Sequence, residues 1–376
     1  MPQASFLLDQ SPVIRLSRRF LGNGRGHFAV RKFYFAANVA AAKYLSRLKL
    51  LLPSATMRAI APYLDADLVL ASGGTYLVSK YDYTHRILEF RKNVQLGKPM
   101  ALFTHSLEPF ADDFQTRDMI PLFKRMKLIL LRHTFSVETL QPLGSADRAV
   151  AVADSVFTFW QAGPHDVAGR RARAGRIPDA PLKIAVSVRQ LKSFGKRQKT
   201  EGLSLYRDSI RNAVTRLVRE KGAEVTFLST CQGIPEYWSD DSAIALDFVK
   251  DLPEDVAAKI FVDRSFSDPH QLMEKIRGFD GVIASRLHMA ILTLCTNTPV
   301  LPVSYEPKFG ETFAELGLPD LVTLVEDIEP QSFGDKAMNW VERLDEFSAI
   351  LATHAAVMRD SAHSAGEKLK SALART

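Results

Sequence analysis

The sequence predicts an α/β protein built from two doubly wound domains, and three observations lead there. Short apolar runs bounded by turn residues alternate with helical patterns along most of the 376 residues, the pattern of βαβ units around parallel sheets. The length suits two domains at roughly 100–200 residues each. Residues 161–181 hold three Gly, three Pro and four Arg with no apolar period, and they separate the two sets of runs.

The expected strands of the first set are 13–17, 67–71, 100–104, 128–131 and 149–152. Those of the second set are 183–188, 224–229, 260–263, 281–284, 299–303 and 321–324. Tyr206, Ile210, Val214, Leu217 and Val218 recur at helical spacing and predict a crossover helix over 205–221. Val341, Leu344, Leu351, Ala355, Met358, Ala362, Ala365 and Leu369 predict one long C-terminal helix. The domain reading is therefore 1–160, a linker 161–181, 182–330, and a bracing helix 331–376, with the two domains facing a cleft. Ligands of such sheets bind beyond the carboxyl ends of the strands.

At 46% apolar and 24% charged residues, the composition excludes collagen, disorder and disulfide scaffolds. The net charge of +7 is local: residues 1–50 carry nine Lys/Arg against Asp9, or +8, and the rest of the chain is near neutral at −1. A neutral body argues against nucleic-acid binding, which needs basic residues interleaved with aromatics along a groove. Cys231 and Cys295 have no paired spacing, which favours a reducing, cytoplasmic compartment and no metal framework. No apolar stretch approaches the ~18 residues of a membrane span. Ser17-Arg18-Arg19-Phe20-Leu21 faintly resembles a twin-arginine signal, but Arg31 and Lys32 interrupt its apolar region, so export is not expected.

The strand 281–284 ends in Ser285-Arg286-Leu287-His288 and leads into an apolar helix. There an Arg and a His adjoin helix-terminal amides, a combination suited to anions. Lys308 reaches the same sheet edge after the next strand. Arg189 closes the strand 183–188, so Arg189 and Arg286 are placed to clamp a small dianion. The plainer reading is an Arg capping carbonyls, a half-buried structural His and a solvated Lys. In the first half, Ser72-Gly73-Gly74-Thr75, His105-Ser106 and Arg132-His133 are further polar strand ends. There is no Walker loop, no His/Cys metal spacing and no nucleophile elbow.

Across residues 65–325 the ordered set of segments resembles the polysaccharide pyruvyl transferases, nearest to the colanic acid type. The segments are Asp67–Gly74, Thr104-His105-Ser106 with Pro109-Phe110, Leu131-Arg132 with Ser136, Asp154–Phe157, Ser229–Ile234, Ser285–His288, Tyr305-Glu306-Pro307-Lys308 and Glu315–Pro319. The resemblance implies a GT-B-like pair of Rossmann-type domains. It also implies transfer of the enolpyruvyl unit of phosphoenolpyruvate onto a sugar diol of an exopolysaccharide or its lipid-linked repeat unit, giving a pyruvate ketal and phosphate. Carried over residue by residue, it implies a donor site of Arg286, His288, Lys308 and Arg189, with Arg132 as an addition. The acceptor side would hold Gly73, Gly74, His105 and Ser106. The family's opening Gly-Asn-x-Gly-Asp has only Gly22-Asn23-Gly24-Arg25-Gly26-His27 as a counterpart, without the Asp, and Glu108 stands where the family prefers glycine.

The chemistry fits these residue types. Phosphoenolpyruvate needs cations at its carboxylate and its phosphate, and protonation of its methylene carbon suits a His titrating near neutral pH, assigned to His288. No metal or organic cofactor is required. Two alternatives stand beside this reading. One is a nucleotide-sugar glycosyltransferase of the same architecture; the paired glutamates eight residues apart that many of these carry are absent, since the eighth residue after Glu306 is Ala314. The other is a polysaccharide-assembly protein that keeps the fold without the activity. The basic residues at the N-terminal end, interleaved with Val13, Leu16, Phe20 and Phe28, would give a weak contact with the inner face of the plasma membrane; the competing reading is a solvated first helix.

Overall fold

Ten parallel strands form two sheets among the residues that the computed structural model describes, namely 4–78, 81–163, 166–177, 179–191, 194–195, 197–233, 240–305 and 307–374. The chain divides into two units, residues 1–155 with 363–376 and residues 156–362.

The sheet of the first unit runs in the order β1-β2-β3-β4, with β1 Val69–Ala71, β2 Met100–His105, β3 Leu128–Leu131 and β4 Ala149–Ala151. Its central strands are apolar on both faces, as a sheet covered by helices requires. Leu102, Ile129 and Leu131 join Ile87, Met119 and Phe123 in one core. The helix Phe114–Phe123 starts where the Asp113 carboxylate accepts from the Thr116 amide at 2.8 Å.

The second unit holds six strands in the order β10-β9-β8-β5-β6-β7. They are β5 Lys183–Ser187, β6 Glu224–Phe227, β7 Ile260–Val262, β8 Gly281–Ala284, β9 Val300–Ser304 and β10 Thr323–Leu324. The chain winds outward from β5 through β6 to β7, then returns to the other side of β5 with β8, β9 and β10. The order reverses between β5 and β8, where a doubly wound sheet opens its ligand crevice. β8 is buried along its whole length, and Gly281 is required there because a Cβ would lie 2.5 Å from the Trp340 ring. Asp268 and Gln271 form a reciprocal capping box at the start of the helix Pro269–Ile276.

Ten of the eleven expected strands form. The exception is 13–17, which lies in the helix Pro12–Leu21. Ser11 and Pro12 are a helix start, and once wound the segment buries Ile14 while Val13, Leu16 and Phe20 face outward. The crossover helix begins earlier than its apolar period shows, at Lys199, and ends at Gly222 in the left-handed region. The C-terminal segment is two helices, Pro330–Glu342 and the long Leu344–Ala374. Its apolar period passes through the break at Arg343, so periodicity alone misses it.

Residues 161–181, expected as a linker, fall within the second unit and contain the helix Val167–Arg173. Arg170, Arg171 and Arg176 of this segment are structural. Asp280, 1% exposed, accepts from Arg171 at 2.8 and 3.1 Å, from Arg176 at 3.1 Å and from the Lys183 amide at 2.9 Å. One buried carboxylate thereby ties this segment to the starts of β5 and β8.

Candidate functional site

In the second unit the candidate residues gather at the switch point. Ser187 pairs with Ala284 at the ends of β5 and β8, and Arg189 and Arg286 each follow two residues beyond. Tyr206, on the helix Lys199–Lys221, ties both strand ends together. Its hydroxyl donates to Ser285 Oγ at 2.9 Å and accepts from the Arg189 amide at 3.4 Å. Burial pushes the phenol up to about 12, so it stays protonated and serves as a fixed hydrogen-bond anchor.

Arg189 lies with its guanidinium carbon 3.9 Å from the centre of the Tyr305 ring, a cation–π contact that orients the fork. Tyr305 follows β9 directly, so three neighbouring strands contribute to this edge. Arg286 is held by a residue that sequence reasoning missed. Its Nε and Nη2 donate to the two oxygens of Asp241 at 2.7 and 2.6 Å, and Asp241 is fully buried at the start of the helix Asp241–Val249. Burial opposes the arginine's charge, but the paired hydrogen bonds and the carboxylate's field outweigh it and hold Arg286 above its usual range. The Asp240-Asp241-Ser242 cap was a visible helix start. The pairing across 45 residues left no trace in local spacing.

His288 stands exposed in the first turn of the helix Leu287–Cys295, two residues after Arg286. Pro307 and Lys308 open the helix Pro307–Glu315 after β9; the side chain of Lys308, like Glu306 and Ile234, lies outside the described residues. The structure thus places Arg189, Arg286 and His288 just beyond two neighbouring strand ends, with Lys308 following the next strand over.

The first unit assembles its own cluster at the carboxyl ends of β1 to β4. Arg132, only 5% exposed, has Nε 2.7 Å from the Thr104 carbonyl and 3.0 Å from Asp154. Arg132 is an internal tie among β2, β3 and the segment after β4, so its expected donor role receives no support from its surroundings. Thr104 itself takes a left-handed φ of 52° where β2 slips register against β3, a conformation rare for a β-branched residue. Gly73 packs against it so closely that a Cβ would lie 2.6 Å from the Thr104 carbonyl and 2.9 Å from Arg132.

His105 lies beneath Tyr76, ring centres 4.7 Å apart, with Nε2 3.0 Å from the Tyr76 hydroxyl and 3.2 Å from the Ala71 carbonyl. Burial pushes its imidazole down to about 3, assisted by the charges of Arg132 and Arg86, so it is neutral at physiological pH. Ser106, also buried, donates its amide to the Gly74 carbonyl at 3.0 Å. Gly73, Gly74, His105 and Ser106 are therefore together, as a packed framework with Tyr76 over it. The Gly22-Asn23-Gly24 turn is elsewhere, between two helices. Asn23 lines a cavity of about 370 Å³ with Arg15, Arg18, His27, Arg31 and His85.

Comparison with known proteins agrees with this architecture. The chain is similar to the amylovoran biosynthesis protein AmsJ of Erwinia amylovora, 26% identical over 294 residues that cover 76% of this chain and 68% of that one. Among solved structures it resembles Anabaena HepE in complex with UDP, with a TM-score of 0.54 at 12% identity over 85% of this chain and 81% of that one. It also resembles a UDP-forming trehalose-phosphate synthase from Burkholderia xenovorans, with a TM-score of 0.54 at 14% identity over 98% and 85% of the two chains. At such identities the likeness is one of fold, and the fold is GT-B-like: two parallel α/β sheets with a long C-terminal helix. The polysaccharide pyruvyl transferase family model matches residues 13–307, well over half of the sequence. The chain belongs to the polysaccharide pyruvyl transferase family.

Proposed function

We propose that this transferase moves the enolpyruvyl unit of phosphoenolpyruvate onto two hydroxyls of a sugar in an exopolysaccharide or its lipid-linked repeat unit, closing a pyruvate ketal in the cytoplasm. The observation that carries the reading is the placement of Arg189 and Arg286 two residues beyond the paired strand ends Ser187 and Ala284 at the switch point between β5 and β8, with His288 exposed two residues after Arg286. Two oriented guanidinium groups suit a ligand with an anion at each end. Lys308 adds a third cation in this reading, and Asp241 and Tyr305 position the two forks. AmsJ, by its name a biosynthesis protein of amylovoran, supports an exopolysaccharide as the acceptor class.

In the reaction His288 delivers a proton to the methylene carbon, and the adjacent carbon gains positive character. One sugar hydroxyl attacks that carbon and passes its proton to His288, restoring it. The carbon–oxygen bond to phosphate then breaks, phosphate departs with the bonding pair, and the second hydroxyl closes the ring as its proton passes to the phosphate. The site's cations stabilise the departing phosphate.

The test is acceptor-dependent phosphate release from phosphoenolpyruvate, together with mass spectrometry of the host polysaccharide for the pyruvate increment. His288→Ala should lower kcat by at least about 100-fold, and Arg189→Ala should raise KM for phosphoenolpyruvate by roughly tenfold or more. Full activity in both variants, or thermal stabilisation by nucleotide sugars and not by phosphoenolpyruvate, would overturn the reading.

A further inference from the structure

The N-terminal helices leave an apolar surface open where a folded protein normally shows a polar one. On the helix Arg25–Arg47, the buried side carries Phe28, Phe35, Val39 and Ala42. The opposite side is also apolar: Ala29, Phe33, Ala36, Ala37, Ala40 and Tyr44 are all exposed, follow one another at three- and four-residue steps, and include no charge. A helix apolar on both sides is one that something covers. Neighbouring elements also expose large apolar side chains. Phe33 is 81% exposed and Leu51 94%, and the helix Pro12–Leu21 adds Phe20 at 76% and Leu16 at 56%. A groove of about 580 Å³ opens beside Phe33, with Lys32, Arg91 and Arg125 among its lining residues.

The charge identifies the kind of partner. Residues 1–50 carry +8, against −1 for the remainder of the chain. On the helix Pro12–Leu21, Arg15, Arg18 and Arg19 occupy one arc while Val13, Leu16 and Phe20 occupy another. A second copy of the chain would set like charges against each other. A nucleic acid would leave the apolar stripe uncovered. A surface that takes both an apolar stripe and interleaved cations is an anionic bilayer. There, aromatic and aliphatic groups enter the acyl boundary while Arg and Lys reach the phosphates. No described helix is long and apolar enough to cross a membrane, so the contact is peripheral.

We infer that the outer faces of Pro12–Leu21 and Arg25–Arg47 form a docking surface for anionic phospholipid. This surface shares no residue with the set assigned to pyruvyl transfer, so its test is independent of that chemistry.

The experiment is co-sedimentation of the full chain with vesicles of phosphatidylcholine alone and of phosphatidylcholine mixed with phosphatidylglycerol, at low and high salt. Binding to the mixed vesicles alone is expected, weakening as salt rises. The pair Leu16→Ser and Phe20→Ser should weaken it by about tenfold or more at either salt. The pair Arg18→Glu and Arg19→Glu should weaken it about tenfold at low salt. All four substitutions sit at exposed positions, and an unchanged thermal midpoint verifies the fold of each variant. Three results would overturn the inference: no binding to mixed vesicles, equal binding to both vesicle types at every salt, or full binding by both variants. A concentration-dependent dimer in solution that Leu16→Ser with Phe20→Ser dissolves, without vesicle binding by the parent chain, would assign the surface to a second copy instead.

Discussion

Asp241 decides whether Arg286 is a positioned cation or a loose one. Fully buried, it accepts from the Nε–Nη2 edge of the guanidinium and compensates the cost of desolvating it. Asp241→Asn keeps the shape but removes the charge, leaving Arg286 less well held. The expected result is a KM for phosphoenolpyruvate raised about tenfold with a smaller change in kcat, and about 1–3 kcal/mol of lost stability in urea titration; an unchanged KM would refute the positioning role. His105 gives a pH signature of its own. Its folded pKa lies at about 3, below the unfolded value of 6.5. The unfolded chain therefore takes up a proton in the window between them and the folded chain does not. Stability from this residue is fully present above pH 6.5 and declines as pH falls toward 3. Between pH 7 and pH 5 the loss is about 2 kcal/mol. His105→Gln should lack that component, which urea titrations of both proteins at the two pH values would reveal.

At the scale of elements, the strand ends of the first unit are locked by close approach. Gly73→Ala would press a methyl group against the Thr104 carbonyl, which is backbone and cannot swing aside. It should destabilise that unit by about 1–3 kcal/mol, and an unaltered unfolding midpoint would count against the fit described. The elements also show what a sequence reveals. Strands such as Gly281–Ala284 are legible because burial on both faces selects an unbroken apolar run between turn residues. The segment 13–17 misleads because Val13-Ile14-Arg15-Leu16-Ser17 satisfies period 2 as well as the helical period over so few residues; the Ser11-Pro12 start settles it. Arg189, Arg286 and His288 were legible as polar residues just beyond apolar strands. The roles of Asp241, Tyr206 and Asp280 were not, because each comes from contacts made across long stretches of chain.

Taken as a whole, the molecule has two units with separate sheets, and a buried ionisable group in each sets a measurable sensitivity. In the first unit that group is His105. In the second it is Asp280, which holds Arg171, Arg176 and the start of β5. Asp280→Asn removes the carboxylate that Arg171 and Arg176 share, and breaking a buried ion pair on one side costs about 3–5 kcal/mol. In a unit of this size that corresponds to a fall in Tm of roughly 10 °C. Unfolding followed by differential scanning calorimetry should therefore depart from a single two-state transition. Lowering the pH from 7 to 5 should move the component that belongs to the first unit, through His105. Asp280→Asn at pH 7 should move the other component and leave the first in place. If both perturbations shift one common transition, with calorimetric and van't Hoff enthalpies equal, the two units unfold as one cooperative body and the separation of their sensitivities is wrong.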